Sequence, residues 1–188
     1  MKNEFPSLQH FVTLSPIPKF RKWLEEKIQQ NEDHGRFFDD SVLSKEEWDL
    51  LTDSGMVQRD DPWRSLLKYL ETADLSVAAD PEHAAVLRPI LTKLAARYIV
   101  LEKHRGKPLD GVARFHLSNG AMVHRVNYGA DMTRKGIKNS FGIMMNYRYD
   151  LDAIEDNQRA FENGYQIQVS PEVQQWLPVE SVPPASKL

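Results

Sequence analysis

The chain contains no cysteine at all. That excludes disulfides, thiolate nucleophiles and sulfur-ligated zinc or iron–sulfur centres within it. It also lacks any apolar run of the roughly 20 residues needed to cross a bilayer, and its first residues, Met1-Lys2-Asn3-Glu4-Phe5, carry no secretory hydrophobic core. A soluble, intracellular protein is expected. There is little excess charge of either sign, the formal net charge being −3, so the balance gives no electrostatic reason to expect a nucleic-acid partner, which usually needs a basic face to displace counterions along phosphates. Glycine-rich nucleotide loops are missing, both the P-loop and the Rossmann fingerprint. The histidines, at 10, 34, 83, 104, 116 and 124, never reach a metal-binding spacing. Metal ligation is therefore not expected.

What is present is 188 residues, 41% apolar and 27% charged, enough for one domain with a sizeable core. His10 to Leu14 alternates and reads as a short strand, broken by Ser15-Pro16-Ile17-Pro18. Phe20, Trp23, Leu24 and Ile28 recur at helical spacing. Ser44-Lys45-Glu46-Glu47 is a capping-box pattern opening a short helix that Gly55 ends, and Asp61-Pro62 and Asp80-Pro81 start two more. The middle third is therefore a helical insertion between strand-forming regions. Beyond Asp110-Gly111, Val112 to Leu117 alternates, Asn119-Gly120 is a hairpin signal, and Ala121 to Tyr128 forms the returning strand. After a polar link containing Arg134, Lys135, Gly136 and Lys138, Ser140 to Tyr149 forms a third strand, giving an antiparallel meander. A loop and helix follow over 150–163, then a flexible tail over 178–188.

Several side chains could carry chemistry. His116 is an imidazole suited to proton donation, although local pattern alone favours a partly exposed strand histidine. Ser15 sits rigidly at a strand end, without the nucleophile-elbow motif around it. Tyr147 and Tyr149 share one face of their strand, Asn146 and Arg148 the other. Arg134, Lys135 and Lys138 form a basic cluster within reach of phosphate chemistry, most simply a solvated link. Ser65-Leu66-Leu67-Lys68 matches Ser-x-x-Lys but is accounted for by helix amphipathicity.

Taken in order, Glu4-Phe5-Pro6, Phe11 to Pro18, Glu102-Lys103-His104-Arg105-Gly106, Phe115-His116-Leu117-Ser118-Asn119-Gly120-Ala121 and Asn146-Tyr147-Arg148-Tyr149 resemble successive motifs of malonyl-CoA decarboxylases. The resemblance runs from Glu4 to about Tyr149, loosest over 39–80. It implies an α+β fold of the GNAT-like acyltransferase type, with a mixed sheet and a helical insertion, incomplete at the amino terminus. Residues 1–177 would be the carboxyl-terminal portion of the catalytic domain, either a fragment or a truncated relative. The implied activity is decarboxylation of malonyl-CoA to acetyl-CoA and CO2 in fatty acid metabolism, by a lyase that needs no cofactor.

By the same resemblance Ser15, His116 and Tyr149 are catalytic, while Asn146 and Arg148 belong to the substrate-binding motif. Ser15 would orient the malonyl carboxylate, and Tyr149 would either support the thioester or position His116. A homo-oligomer is expected of the full-length protein. The terminal Ser186-Lys187-Leu188 suggests a peroxisome in a eukaryote and the cytoplasm otherwise. The alternatives are a GNAT-like acyltransferase or a non-catalytic module for CoA binding or assembly.

Overall fold

The computed structural model describes residues 10–34, 42–72 and 80–178. The Glu4-Phe5-Pro6 motif and the terminal Ser186-Lys187-Leu188 lie outside these.

Helix α1 (Phe20–His34) inserts Phe20, Trp23, Leu24 and Ile28 into the core, as their spacing predicts. Helix α2 (Lys45–Asp53) begins with the expected capping box: the Glu47 amide donates to Ser44 Oγ at 3.2 Å, and the Ser44 amide donates to Glu47 Oε2 at 2.6 Å. Glu47 also accepts from Lys93 Nζ at 2.8 Å, tying α2 to α4 (Pro81–Val100). Helices α3 (Pro62–Thr72) and α4 both start on the predicted prolines, and the Asp80 side chain caps α4 through the Glu82 amide at 2.8 Å. Tyr98 of α4, fully buried, meets Phe20 and Trp23 at 5.8 and 5.1 Å between ring centroids. This aromatic cluster joins the helical layer to the rest of the core.

The sheet is built around β6 (Met144–Asp150). On one edge lie β1 (His10–Val12) and β2 (Ser15–Pro16), antiparallel to β6 in one continuous register: His10 faces Asp150 and Pro16 faces Met144. On the other edge runs β5 (Met122–Asn127), with a bulge between Val123 and Arg125. A single parallel bridge from Val123 to Val169 extends this edge ahead of α8 (Pro171–Gln174). A separate ribbon, β3 (Lys103–His104) and β4 (Lys107–Pro108), turns through Arg105 and Gly106, both at positive φ. The architecture is the α+β one that the resemblance implies.

Three expectations are corrected. Val112 to Leu117 is not a strand; α5 (Gly111–Ser118) occupies it. Asp110 caps this helix by accepting from the Ala113 amide at 2.8 Å, and the buried residues Ala113, His116 and Leu117 follow helical spacing, leaving Phe115 63% exposed. Period two would have buried Phe115 with Ala113, so six alternating residues were too few to decide the period.

Asn119-Gly120 is accordingly no hairpin but the end of α5. The Gly120 amide donates to the Leu117 carbonyl and the Ala121 amide to that of His116, both at 3.1 Å, with Gly120 at φ +80°. That is a Schellman ending, whose left-handed residue favours glycine for the same reason a tight hairpin does. Finally, Arg134 to Lys138 is not a link but α6 (Arg134–Ser140), capped by Thr133 through the Gly136 amide at 3.1 Å. Gly136 disguises the helix in sequence, yet a Cβ there would lie 2.2 Å from the Asp131 carbonyl oxygen. The third strand therefore starts at Met144 and pairs antiparallel with β5 as expected, but its other edge is taken by the amino-terminal segment.

Gly120 also faces the start of α7 (Ile154–Gly164), where an added Cβ would stand 2.3 Å from the Ile154 carbonyl oxygen. Gly120→Ala should cost about 2–4 kcal/mol through positive φ and overpacking together. Urea unfolding measures this; a midpoint within experimental scatter of the parent would contradict it.

Candidate active site

Ser15 opens β2 opposite Met145, 6% exposed, with Pro16 behind it. His116 reaches it from the last turn of α5, itself 9% exposed. Although 101 positions apart in the chain, Ser15 Oγ and His116 Nε2 lie 3.0 Å apart. The other ring nitrogen, Nδ1, is 2.8 Å from Tyr149 Oη. The imidazole stacks on the ring of Tyr147, centroids 4.4 Å apart and planes 19° from parallel. Thus Ser15, His116 and Tyr149 converge, and Tyr147, on the same strand face as Tyr149, is the floor beneath them.

Burial pushes the His116 pKa down and that of Tyr149 up, because both charged forms would lose hydration. At neutral pH the site therefore holds a neutral imidazole beside a protonated phenol. Beneath it, Asp110 is buried, its carboxyl pushed up by desolvation, and accepts from Tyr98 Oη at 3.5 Å while capping α5. Tyr147 is driven well above the ordinary phenol range by burial, reinforced by Asp110.

Asn146 and Arg148 alternate with the tyrosines and sit on the opposite face of β6. The structure does not bring them to His116. Asn146 bridges strands: its Nδ2 donates to the Thr13 carbonyl at 2.6 Å, and its Oδ1 accepts from Asn127 Nδ2 at 2.8 Å. Arg148 Nη2 lies 3.8 Å from Asp150 Oδ2. The basic cluster of Arg134, Lys135 and Lys138 is carried on α6.

Sequence reasoning passed over Thr13 and Asp110. Asp110-Gly111 was visible as a boundary but was read as a strand start rather than a cap; Thr13 carried no signal beyond its place in the Phe11 to Pro18 motif.

Two clefts lie elsewhere. One of about 800 Å³ is bounded by Ile28, Met56, Arg64 and Tyr69, and one of about 400 Å³ by Arg88, Arg125, Tyr128 and Trp176. Neither is lined by Ser15, His116 or Tyr149. Among the described residues no cluster of three His, Asp or Glu side chains is arranged to hold a metal. No described helix is long and apolar enough to cross a membrane.

Comparison with known proteins gives a consistent result. Residues 1–186 match the family described as malonyl-CoA decarboxylase C-terminal domain. The mitochondrial malonyl-CoA decarboxylase of Rattus norvegicus is 36% identical over 178 residues, covering 92% of this chain and 34% of the relative. That of Anser anser anser is 35% identical over 174 residues, with 92% and 33% covered. Among solved structures, malonyl-CoA decarboxylase from Cupriavidus metallidurans superposes with a TM-score of 0.74 at 35% identity, over 94% of this chain and 40% of that one. The Rhodopseudomonas palustris enzyme gives 0.73 at 35% identity, over 94% and 35%.

The chain thus spans about a third of the length of the curated relatives it matches. Those relatives are named as mitochondrial proteins, which overturns the peroxisomal expectation drawn from the last three residues. With matching sequence and fold, the chain belongs to the malonyl-CoA decarboxylase C-terminal domain family.

Proposed function

We propose that this chain carries the acid–base part of a malonyl-CoA decarboxylase site, which converts malonyl-CoA to acetyl-CoA and CO2. The observation that supports it best is the hydrogen-bonded series Ser15 Oγ, His116 and Tyr149 Oη, buried at its Ser15 end, with contacts of 3.0 and 2.8 Å. The reaction asks three things of a protein: a carboxylate held out of the thioester plane, stabilisation of the enolate oxygen, and a proton for the α-carbon. Ser15 orients the carboxylate and His116 delivers the proton. The bond between the α-carbon and the carboxylate breaks, CO2 leaves, and the electron pair passes into the thioester enolate. A Cα–H bond then forms at the expense of the Nε2–H bond.

A neutral imidazole makes a poor acid by itself, since its product would be an imidazolate. Tyr149 offsets this by giving its phenol proton to Nδ1, so the negative charge ends on the phenolate, which solvent reprotonates. This assigns Tyr149 to His116 rather than to the thioester. Asn146, expected in substrate binding, acts through the strand that carries Ser15, and Arg148 stays on the far face. Family membership also supports a role in fatty acid metabolism and a homo-oligomer for the full-length protein.

Incubation with malonyl-CoA alone is the test, because decarboxylation needs no acyl acceptor. Acetyl-CoA and CO2 should appear in equal amounts; no product at any enzyme concentration would remove the proposal for this chain. Binding is expected to be weak, since the chain spans only about a third of the length of the curated relatives it matches. Titration calorimetry should give a CoA dissociation constant above the micromolar level, about −8 kcal/mol. A sub-micromolar value would contradict this.

A further inference from the structure

Between β1 and β2 the edge strand parts from β6 without losing register. The Thr13 amide still donates to the Tyr147 carbonyl at 2.9 Å, but the return bond is changed. The Tyr147 amide points to Thr13 Oγ1 at 3.4 Å, and the Thr13 carbonyl is taken by Asn146 Nδ2. Side chains thus replace one rung of the ladder, leaving the Thr13 hydroxyl inside the strand junction, where it accepts from Ser15 Oγ at 3.1 Å. Ser15 has a single hydroxyl proton. If Thr13 receives it, none is left for His116, and the 3.0 Å contact must be made by an Nε2–H donating to Ser15.

The other end of the series agrees. A phenol is a better donor than an imidazole N–H, and the half-buried Tyr149 keeps its proton, so Oη–H donates to Nδ1. In a Ser-His-Asp triad the group at Nδ1 is a carboxylate, which can only accept. It forces the proton onto Nδ1 and leaves Nε2 bare to deprotonate the serine. A phenol at the same place reverses the tautomer.

We propose that Thr13 is a positioning residue that sets the direction of the series in the substrate-free site, before the malonyl carboxylate replaces Thr13 as acceptor of the Ser15 proton: Tyr149 donates to His116, His116 to Ser15, and Ser15 to Thr13. The consequence is a histidine presented as an acid through Nε2 and a serine that is not activated as a nucleophile. This rests on the reading of His116 as proton donor, but its test does not need turnover.

The test is nitrogen-15 NMR of the imidazole of His116 in the full chain without substrate, assigned by loss of its signals in His116→Asn. Wild type should show the Nε2–H tautomer. Thr13→Val should shift the population toward Nδ1–H, and Thr13→Ser should restore it. Where malonyl-CoA turnover is measurable, Thr13→Val should lower kcat on the order of tenfold with little change in KM, a part of the full general-acid contribution. A fluorophosphonate probe should leave wild-type Ser15 unlabelled. An Nδ1–H tautomer in wild type, or labelling at Ser15, overturns the proposal even if Thr13→Val does not fold; so does an unchanged tautomer in folded Thr13→Val. If the chain releases no CO2 yet the tautomer responds as stated, the decarboxylase reading of this chain fails while the role of Thr13 stands.

Discussion

His116→Asn should lower the release of CO2 from malonyl-CoA by roughly 10²- to 10⁴-fold, the usual contribution of a positioned proton donor. Asparagine keeps a polar group near Ser15 but has no nitrogen that can pass a proton from Tyr149 to the α-carbon. Because His116 touches Ser15 and Tyr149 in one hydrogen-bonded series, Ser15→Ala should show a loss that does not add to it. Additive losses in the double variant would mean that the two residues act separately. CoA binding should be nearly unchanged in either variant, and wild-type CO2 release from His116→Asn would remove the assignment.

The pH dependence follows from the same imidazole. Its folded pKa is lowered by burial, so the folded state holds fewer protons than the unfolded chain as the medium becomes acid. The stability it contributes is complete above the ordinary histidine range near 6.5 and is lost as the pH falls through the depressed folded value. Activity should fall across the same acid window as Nδ1 becomes protonated and the Tyr149 bond is lost. A rate that rises on acidification below 6.5 would instead identify the imidazolium as the working acid.

The largest effect on stability is expected at Tyr147, which is fully buried beneath the imidazole. Tyr147→Ala should cost about 3–5 kcal/mol, the range for removing a buried aromatic side chain. The loss would open a cavity at the floor of the site, so activity should fall as well. Tyr147→Phe separates the ring from the hydroxyl. The Tyr147 hydroxyl is buried without a hydrogen-bond partner among the described residues, so its removal should change stability by less than about 1 kcal/mol. Denaturant unfolding of the two variants checks both values, and a large loss in the phenylalanine variant would show that the hydroxyl has a structural role after all.

Much of the candidate site was legible in the chain, but unevenly. Ser15, His116 and Tyr149 were reached through the ordered motifs, not through periodicity, which placed His116 on a strand. The error has a physical basis: Val112 to Leu117 is short, and the Asp110-Gly111 and Asn119-Gly120 pairs that bracket it serve helix ends as well as turns. Helix α6 was hidden by Gly136, a poor helix former tolerated because the Asp131 backbone crosses at the missing Cβ. The longer helices were easier, since α1 and α4 each repeat their apolar spacing over several turns.

The sequence by itself determined the features that depend on residues within a turn or two of one another. These are the capping box at Ser44, the proline starts of α3 and α4, the apolar stripe of α1, and the alternation that sets Tyr147 and Tyr149 apart from Asn146 and Arg148. Only the tertiary structure decided that the amino-terminal segment pairs with β6, that α5 delivers His116 to Ser15 across 101 positions, and that Thr13 lies at the break in the strand. Local propensity is a matter of a few tenths of a kcal/mol per residue, whereas burial of an aromatic floor and completion of a ladder are worth several. The choice between helix and strand over Val112 to Leu117 was therefore made by what the segment packs against.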